Sequence, residues 1–256
     1  MFFCYYASDE NQFFSNKITV FSAVFFLALV GCNNKTTKTH TSGFFKYIYL
    51  CENSEYQNKN DKSIVITGFT ELGLKQERLD IPREIDGQRV KYLGLSDENF
   101  SHNNNRKITC GDHLKKIFVF DSLEHIEYMD CPSVDIMVCS SELSVTTFSS
   151  NFRHLYLYAP LFKDKGYLPD NDYSKTVQAA NVSFLLNYDT GKDSNLYRVD
   201  NVAEGEKIVM PPNPFREKCL FTGWYTEPEC LNAWDFNTTP SIERNNELVL
   251  YANWDI

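Results

Sequence analysis

Short apolar bursts that recur at a fixed interval constrain this chain more than any other feature. "LKKIFVFDSLEHIEYMDC" is followed by "SVDIMVCSSELSVTTFSS" and then by "FRHLYLYAP", at a period of about 20 residues. Ile117 and Val119 fall at the places of Ile136 and Val138 and then of Leu155 and Leu157, and Leu123 at that of Leu143. Each burst is too short for a helical stripe and reads as a strand. A unit of this size cannot bury its apolar face alone, so neighbouring units must stack and share one core. The period of two within a strand then divides the side chains. With Ile117, Val119, Ile136, Val138, Leu155 and Leu157 inside, the alternates face out as two columns: Phe118, Met137 and Tyr156, and Phe120, Cys139 and Tyr158. A contiguous aromatic patch is either a docking face or a covered one. Both arrangements stay open, the cover being the loop from Ser96 to Lys107 or the C-terminal part of the chain.

Just before these units stands "LDIPREIDGQRVKYLG", Leu79 to Gly94. It resembles the lead-in of the BspA-like class of bacterial leucine-rich repeats, in which a cysteine or asparagine precedes each strand. Cys110 and Cys131 occupy that place. The resemblance covers roughly residues 64–162 and implies a short leucine-rich-repeat solenoid. The segment "SDENFSHNNNRKITCGDH" is longer and more polar than the pattern wants.

A polar linker, residues 163–180, leads to "NVSFLLNYDTG", "FTGWYTEPECLNAWDF" and "ELVLYANW". These are similar to the Listeria-Bacteroides repeat, also called the internalin B-type B repeat, over a module spanning 181–256. The landmarks are Val182 to Phe184, Gly223 to Tyr225, Trp234 to Phe236 and Leu250 to Trp254. The resemblance implies a small β-grasp-like module, and the expected fold class of the whole is mainly β. "ELVLYANW" alternates, placing Leu248, Leu250, Ala252 and Trp254 on one side. So small a module fills its core with large rings, which makes the tryptophans structural rather than a ligand cage. Glu227, Glu229 and Asp235 flank the turn at Pro228 as solvated or backbone-bonded acids. Cys219 departs from the family, which usually has an aromatic there, and opens a Cys219–Cys230 disulfide.

Near the start, "ITVFSAVFFLALV", Ile18 to Val30, is uncharged and too short for the ~20 residues of a membrane-crossing helix. It suits the core of a signal peptide. It ends in "LVGC", which resembles a bacterial lipobox, implying a signal peptide over 1–31 and lipidation of Cys32. Residues 33–43 would be a flexible polar tether within a lead-in that runs to residue 63. Asp9 and Glu10 precede the run with only Lys17 to oppose them, so translation is expected to start downstream of Met1.

A net charge of −9 and a pI near 5.1 give no basic stripe, which argues against nucleic acid. No CxxC occurs among the eight cysteines, so zinc ribbons and thioredoxin-type sites are excluded, while disulfide pairing stays open. "CGDH", Cys110 to His113, has metal-like spacing but no second pair nearby, and His102, His125 and His154 read as surface residues. No metal or cofactor is expected. Without GxSxG, HExxH, P-loop or GxGxxG, catalysis is not expected either. The expectation is a lipid-anchored surface protein binding a protein or glycan through Phe118, Phe120, Met137, Tyr156 and Tyr158. A structural envelope spacer and an extracytoplasmic hydrolase are the alternatives.

Overall fold

The computed structural model describes residues 38–52, 59–94, 107–120, 122–139, 144–145, 151–158, 160, 177–191, 195–242 and 247–255. Cys32 and the apolar run before it lie outside these residues, as do Leu143 and the loop from Ser96 to Arg106. No helix among the described residues is long and apolar enough to cross a membrane. Thr37–Ile256 forms one compact unit.

The regular elements of the described residues are almost all strands. The first six are β1 (His40–Ser42), β2 (Phe45–Tyr49), β3 (Ile64–Phe69), β4 (Arg78–Asp80), β5 (Glu84–Ile85) and β6 (Gln88–Leu93). Between β3 and β4 lies one turn of helix, α1 (Glu71–Leu74). Then follow β7 (Ile108–Thr109), β8 (Lys116–Val119), β9 (His125–Ile126), β10 (Met129–Val138), β11 (Ser144–Val145), β12 (Asn151–Leu157) and β13 (Val177–Ala179). The last four are β14 (Val182–Leu185), β15 (Leu196–Asp200), β16 (Leu220–Tyr225) and β17 (Leu248–Asp255).

From β3 to β12 the chain passes back and forth between two sheets, and that is how the repeat uses its period. One sheet runs β1-β2-β3-β6-β9-β11, with β5 paired to β6, and is parallel from β3 to β11. The other runs β4-β8-β10-β12-β13, all parallel, with β7 paired to β10. Side chains from the two sheets meet in one core, with Ile64, Ile66, Val90, Leu93 and Ile126 facing Leu79, Ile117, Ile136 and Leu155. The register Ile117↔Ile136↔Leu155 and Val119↔Val138↔Leu157 is the one read from the repeat. At Asp86–Gly87 both residues have positive φ, 52° and 71°, which suits the two-residue turn joining antiparallel β5 and β6. Gly94 closes β6 so tightly that a Cβ would stand 1.7 Å from the Glu127 carbonyl oxygen.

Two segments expected to be connectors are part of the sheets. His40–Ser42, assigned above to the tether, forms β1 and pairs with β2, and β2 pairs antiparallel with β3. Val177–Ala179, assigned to the linker, forms β13 and extends the parallel ladder from β12. Cys110 and Cys131 are joined in a disulfide, following on from the β7–β10 pairs Ile108↔Met129 and Thr109↔Asp130. The pairing consumes the sulfur on which a "CGDH" metal site would depend.

The C-terminal module is a mixed four-stranded sheet in the order β15-β14-β17-β16. β14 pairs antiparallel with β15 and parallel with β17. Leu248, Leu250, Ala252 and Trp254 all join its core, together with Phe184 and Trp224. A register shift between Phe221 and Gly223 marks a bulge, where Gly223 has φ +150°.

Candidate functional site

The outward face of β4, β8, β10 and β12 carries the residues singled out from the repeat, and the pairing registers fix how they line up. Arg78, Lys116, Asp135 and His154 form one row. Asp80, Phe118, Met137, Tyr156 and Gln178 form the next, two residues along each strand. The columns exist as the alternation requires. Their exposure does not. Phe118 is 1 % exposed, Met137 0 %, Tyr156 5 % and Phe120 7 %, while Tyr158 and Cys139 are half-buried. Of the two arrangements left open by the sequence, the structure has the covered one, and the cover is the C-terminal module. Phe118, Met137 and Tyr156 pack with Ala180 and with Val199 of β15, and Phe120 joins the module's own core. The expected docking face is therefore an internal interface, and its apolar residues gain their stabilisation from burial against the module.

The same interface holds charges that the sequence did not advertise. Lys116 Nζ donates to Asp200 Oδ1 at 2.8 Å and to the Asn201 carbonyl at 2.5 Å, and Arg78 Nη1 lies 3.4 Å from Asp200 Oδ2. Asp200 is 1 % exposed and Lys116 7 %. Arg198 pairs with Asp80, and its guanidinium carbon sits 3.4 Å from the centroid of the Phe118 ring. Burial lowers the Arg198 pKa against the pull of Asp80 and Asp200. Burial likewise raises the Asp80 carboxyl, outweighing its attraction to Arg198. Desolvation thus works against the attraction at this pair. The alternation in "YRVD" places Arg198 and Asp200 on the strand face opposite Tyr197 and Val199. The partners of Arg198 and Asp200 lie 84 to 122 residues away, beyond any local pattern.

At the far side of the same face Arg153 forks onto Asp135, with Nε at 2.8 Å, and His154 Nδ1 lies 3.0 Å from Asp135 Oδ1. The guanidinium occupies both carboxylate oxygens, so Asp135 orients Arg153 and is poorly placed as a general base. His125, expected on the surface, lies in β9 and stacks on Tyr92 at 4.8 Å between ring centroids.

In the C-terminal module Trp224 is 2 % exposed and wedged among Phe184, Tyr197 and Phe221. Trp254 donates its indole N–H to the Leu186 carbonyl at 2.7 Å, and Trp234 packs against the same core. The rings fill the module instead of framing a ligand. Glu227 accepts from the backbone N–H groups of Leu231, at 2.7 Å, and Asn232, and Asp235 accepts from Asn237 N at 2.9 Å. Bonding to Thr226 and to these amides lowers the Glu227 pKa, and the Asn237 amide lowers that of Asp235. Both acids are turn-formers. Cys219 and Cys230 stand as separate thiols, so the bridge considered from the sequence is absent.

Residues 181–253 match the Listeria-Bacteroides repeat domain. Two proteins of Evansella cellulosilytica are similar to parts of the chain, one provisionally named a membrane protein and the other a Gly-rich membrane protein. The first is 30 % identical over 73 residues, which is 28 % of this chain and 10 % of that protein. The second is 40 % identical over 52 residues, 20 % of this chain and 6 % of that protein. The chain thus spans about a tenth or less of the length of the relatives it matches.

Proposed function

We propose that this is a lipid-anchored protein of the bacterial cell surface, in which a BspA-like leucine-rich-repeat solenoid and the C-terminal repeat bind a protein or glycan partner as one body. The surface placement rests chiefly on the Cys110–Cys131 disulfide, a bond that persists in oxidising compartments, beside a repeat domain found in surface proteins. Lipidation of Cys32 would supply the anchor. The partner meets surface left open by the module, such as the row end where Arg153 is 51 % and His154 30 % exposed, and not the buried aromatic columns. A second reading, an envelope spacer without a ligand, is favoured by the same burial, since the most adhesive face is spent internally. Palmitate labelling tests the anchor: the wild type should label and Cys32→Ala should not, and persistent labelling of the variant would place the anchor elsewhere. Probing the immobilised Cys32→Ala protein with extracellular matrix proteins and cell-wall glycans separates binder from spacer. Saturable binding is expected, and its absence favours the spacer.

A further inference from the structure

At the beginning of the described chain two large apolar side chains stand in the open where the fold is rigid. Phe44, in the turn between β1 and β2, is 39 % exposed, and Leu72 of α1 is 60 % exposed. The two belong to one knob. Thr70 N donates to the Phe44 carbonyl at 2.9 Å and Thr70 Oγ1 to the Gly43 carbonyl at 3.0 Å. The Thr70 side chain also caps α1 by accepting from Gly73 N at 3.2 Å. Gly73 lies so close that a Cβ there would be 2.4 Å from the Phe44 carbonyl oxygen, so only glycine lets the turn and the helix meet. The fold thus holds an exposed Phe and Leu in fixed proximity. Exposed Lys38, Lys46 and Lys75 flank them in sequence, with Glu71 the one acid inside the knob.

What covers this knob follows from the chain that precedes it. Only five residues, 33–37, separate Cys32 from Lys38, the first described residue, and the six steps between the two reach at most ~22 Å when fully extended. A compact body of some 220 residues has a radius of gyration of ~17 Å, so an anchor at Cys32 keeps β1 within about one body radius of the bilayer. With the anchor at Cys32, the surface around β1 is the part of the body nearest the headgroups, and it carries Phe44, Leu72 and the lysines.

We propose that the knob formed by Gly43–Phe44 and α1 is a membrane-contact surface, Phe44 and Leu72 entering the headgroup region of the bilayer that holds the Cys32 anchor. The proposal rests on the anchor reading above. Exposed apolar side chains with lysines near them in sequence are a composition that interfacial segments use, the rings and aliphatics inserting while the ammonium groups meet anionic lipid. The contact fixes which end of the strand stack faces the membrane and which way the C-terminal module is presented.

The test uses the full chain in its own membranes, with the photo-crosslinker benzoylphenylalanine replacing Phe44, Leu72 or, as a control, Phe215, which is 85 % exposed in the C-terminal module. Membranes are sedimented before illumination, and adducts are resolved by mass. Expected are chains in the pellet and lipid adducts at positions 44 and 72 about tenfold above those at 215. Chains in the pellet whose adducts at 44 and 72 are with protein, or no richer in lipid than at 215, overturn the contact and leave the anchor standing. Wild-type chains found in the supernatant overturn the anchor and the contact together. Leu72 is a second, independent site should a change at Phe44 disturb the β1–β2 turn.

Discussion

The two sides of the sheet formed by β4, β8, β10, β12 and β13 are joined to the rest of the protein by different means. On the inner side Ile117, Val119, Ile136, Val138 and Leu155 meet the other sheet through aliphatic groups. On the outer side Phe118, Met137 and Tyr156 meet the C-terminal module through rings, a thioether and buried charges. Aliphatic packing is tolerant of small adjustments and accumulates over many similar contacts. Buried charges are not tolerant, because each is stable only while its partner is in place. The inner side therefore sets how stable the stack is, and the outer side sets where the module sits.

The largest expected effect comes from breaking the outer side asymmetrically. Asp200→Ala leaves the Lys116 ammonium nearly buried without its carboxylate and should cost ~3–5 kcal/mol in urea unfolding. The double change Lys116→Met with Asp200→Leu should recover most of that loss, because an apolar pair needs no counter-charge. If the double variant is no better than the single one, the outer side is held by packing alone and the contrast drawn here collapses. Next in size is the inner side. Cys110→Ser with Cys131→Ser opens a loop spanning a separation of 21 residues and should cost ~3 kcal/mol on the chain-entropy account. The loss should disappear when wild type and variant are compared under reducing conditions, and a loss that persists there would mean the sulfur atoms act by packing.

The smallest effect sharpens the comparison by its sign. The folded state raises the Asp80 pKa because burial outweighs Arg198, so the folded chain binds that proton more readily than the unfolded one. Asp80's contribution is then most favourable below the ordinary carboxylate pKa and is lost as pH rises through the raised one. Measured against Asp80→Asn, wild-type stability should fall across this acidic window. A rise would show that the ion pair outweighs its desolvation after all.

The inner side was legible in the sequence and the outer side only half so, for a physical reason. Alternation decides which residues share a face, so Ile117, Ile136 and Leu155 could be aligned from the period alone, and the observed register agrees. Alternation also placed Phe118, Met137 and Tyr156 together. It cannot say what lies over them, because Val199 and Arg198 are far along the chain and belong to a strand whose own pattern looks half-solvated. In the C-terminal module the landmarks around Trp224 and Trp254 revealed a core because so small a unit has few ways to bury them. The β1–β2 hairpin went unread: "HTS" has no apolar alternation, and β1 is held to β2 by backbone pairing.

That hairpin has a consequence for the chain's company. A parallel ladder is open-ended by construction, since each edge offers the same unpaired amides and carbonyls that its last neighbour used, and identical ladders can in principle join into a filament. Here β2 runs antiparallel to β3, which changes the pattern an incoming parallel strand would need, and the short β1 beyond it leaves little to grip. At one margin of the other sheet, β4 has three residues, two of them charged, and Pro82 follows shortly after. At these two margins a second copy would find little backbone to pair with.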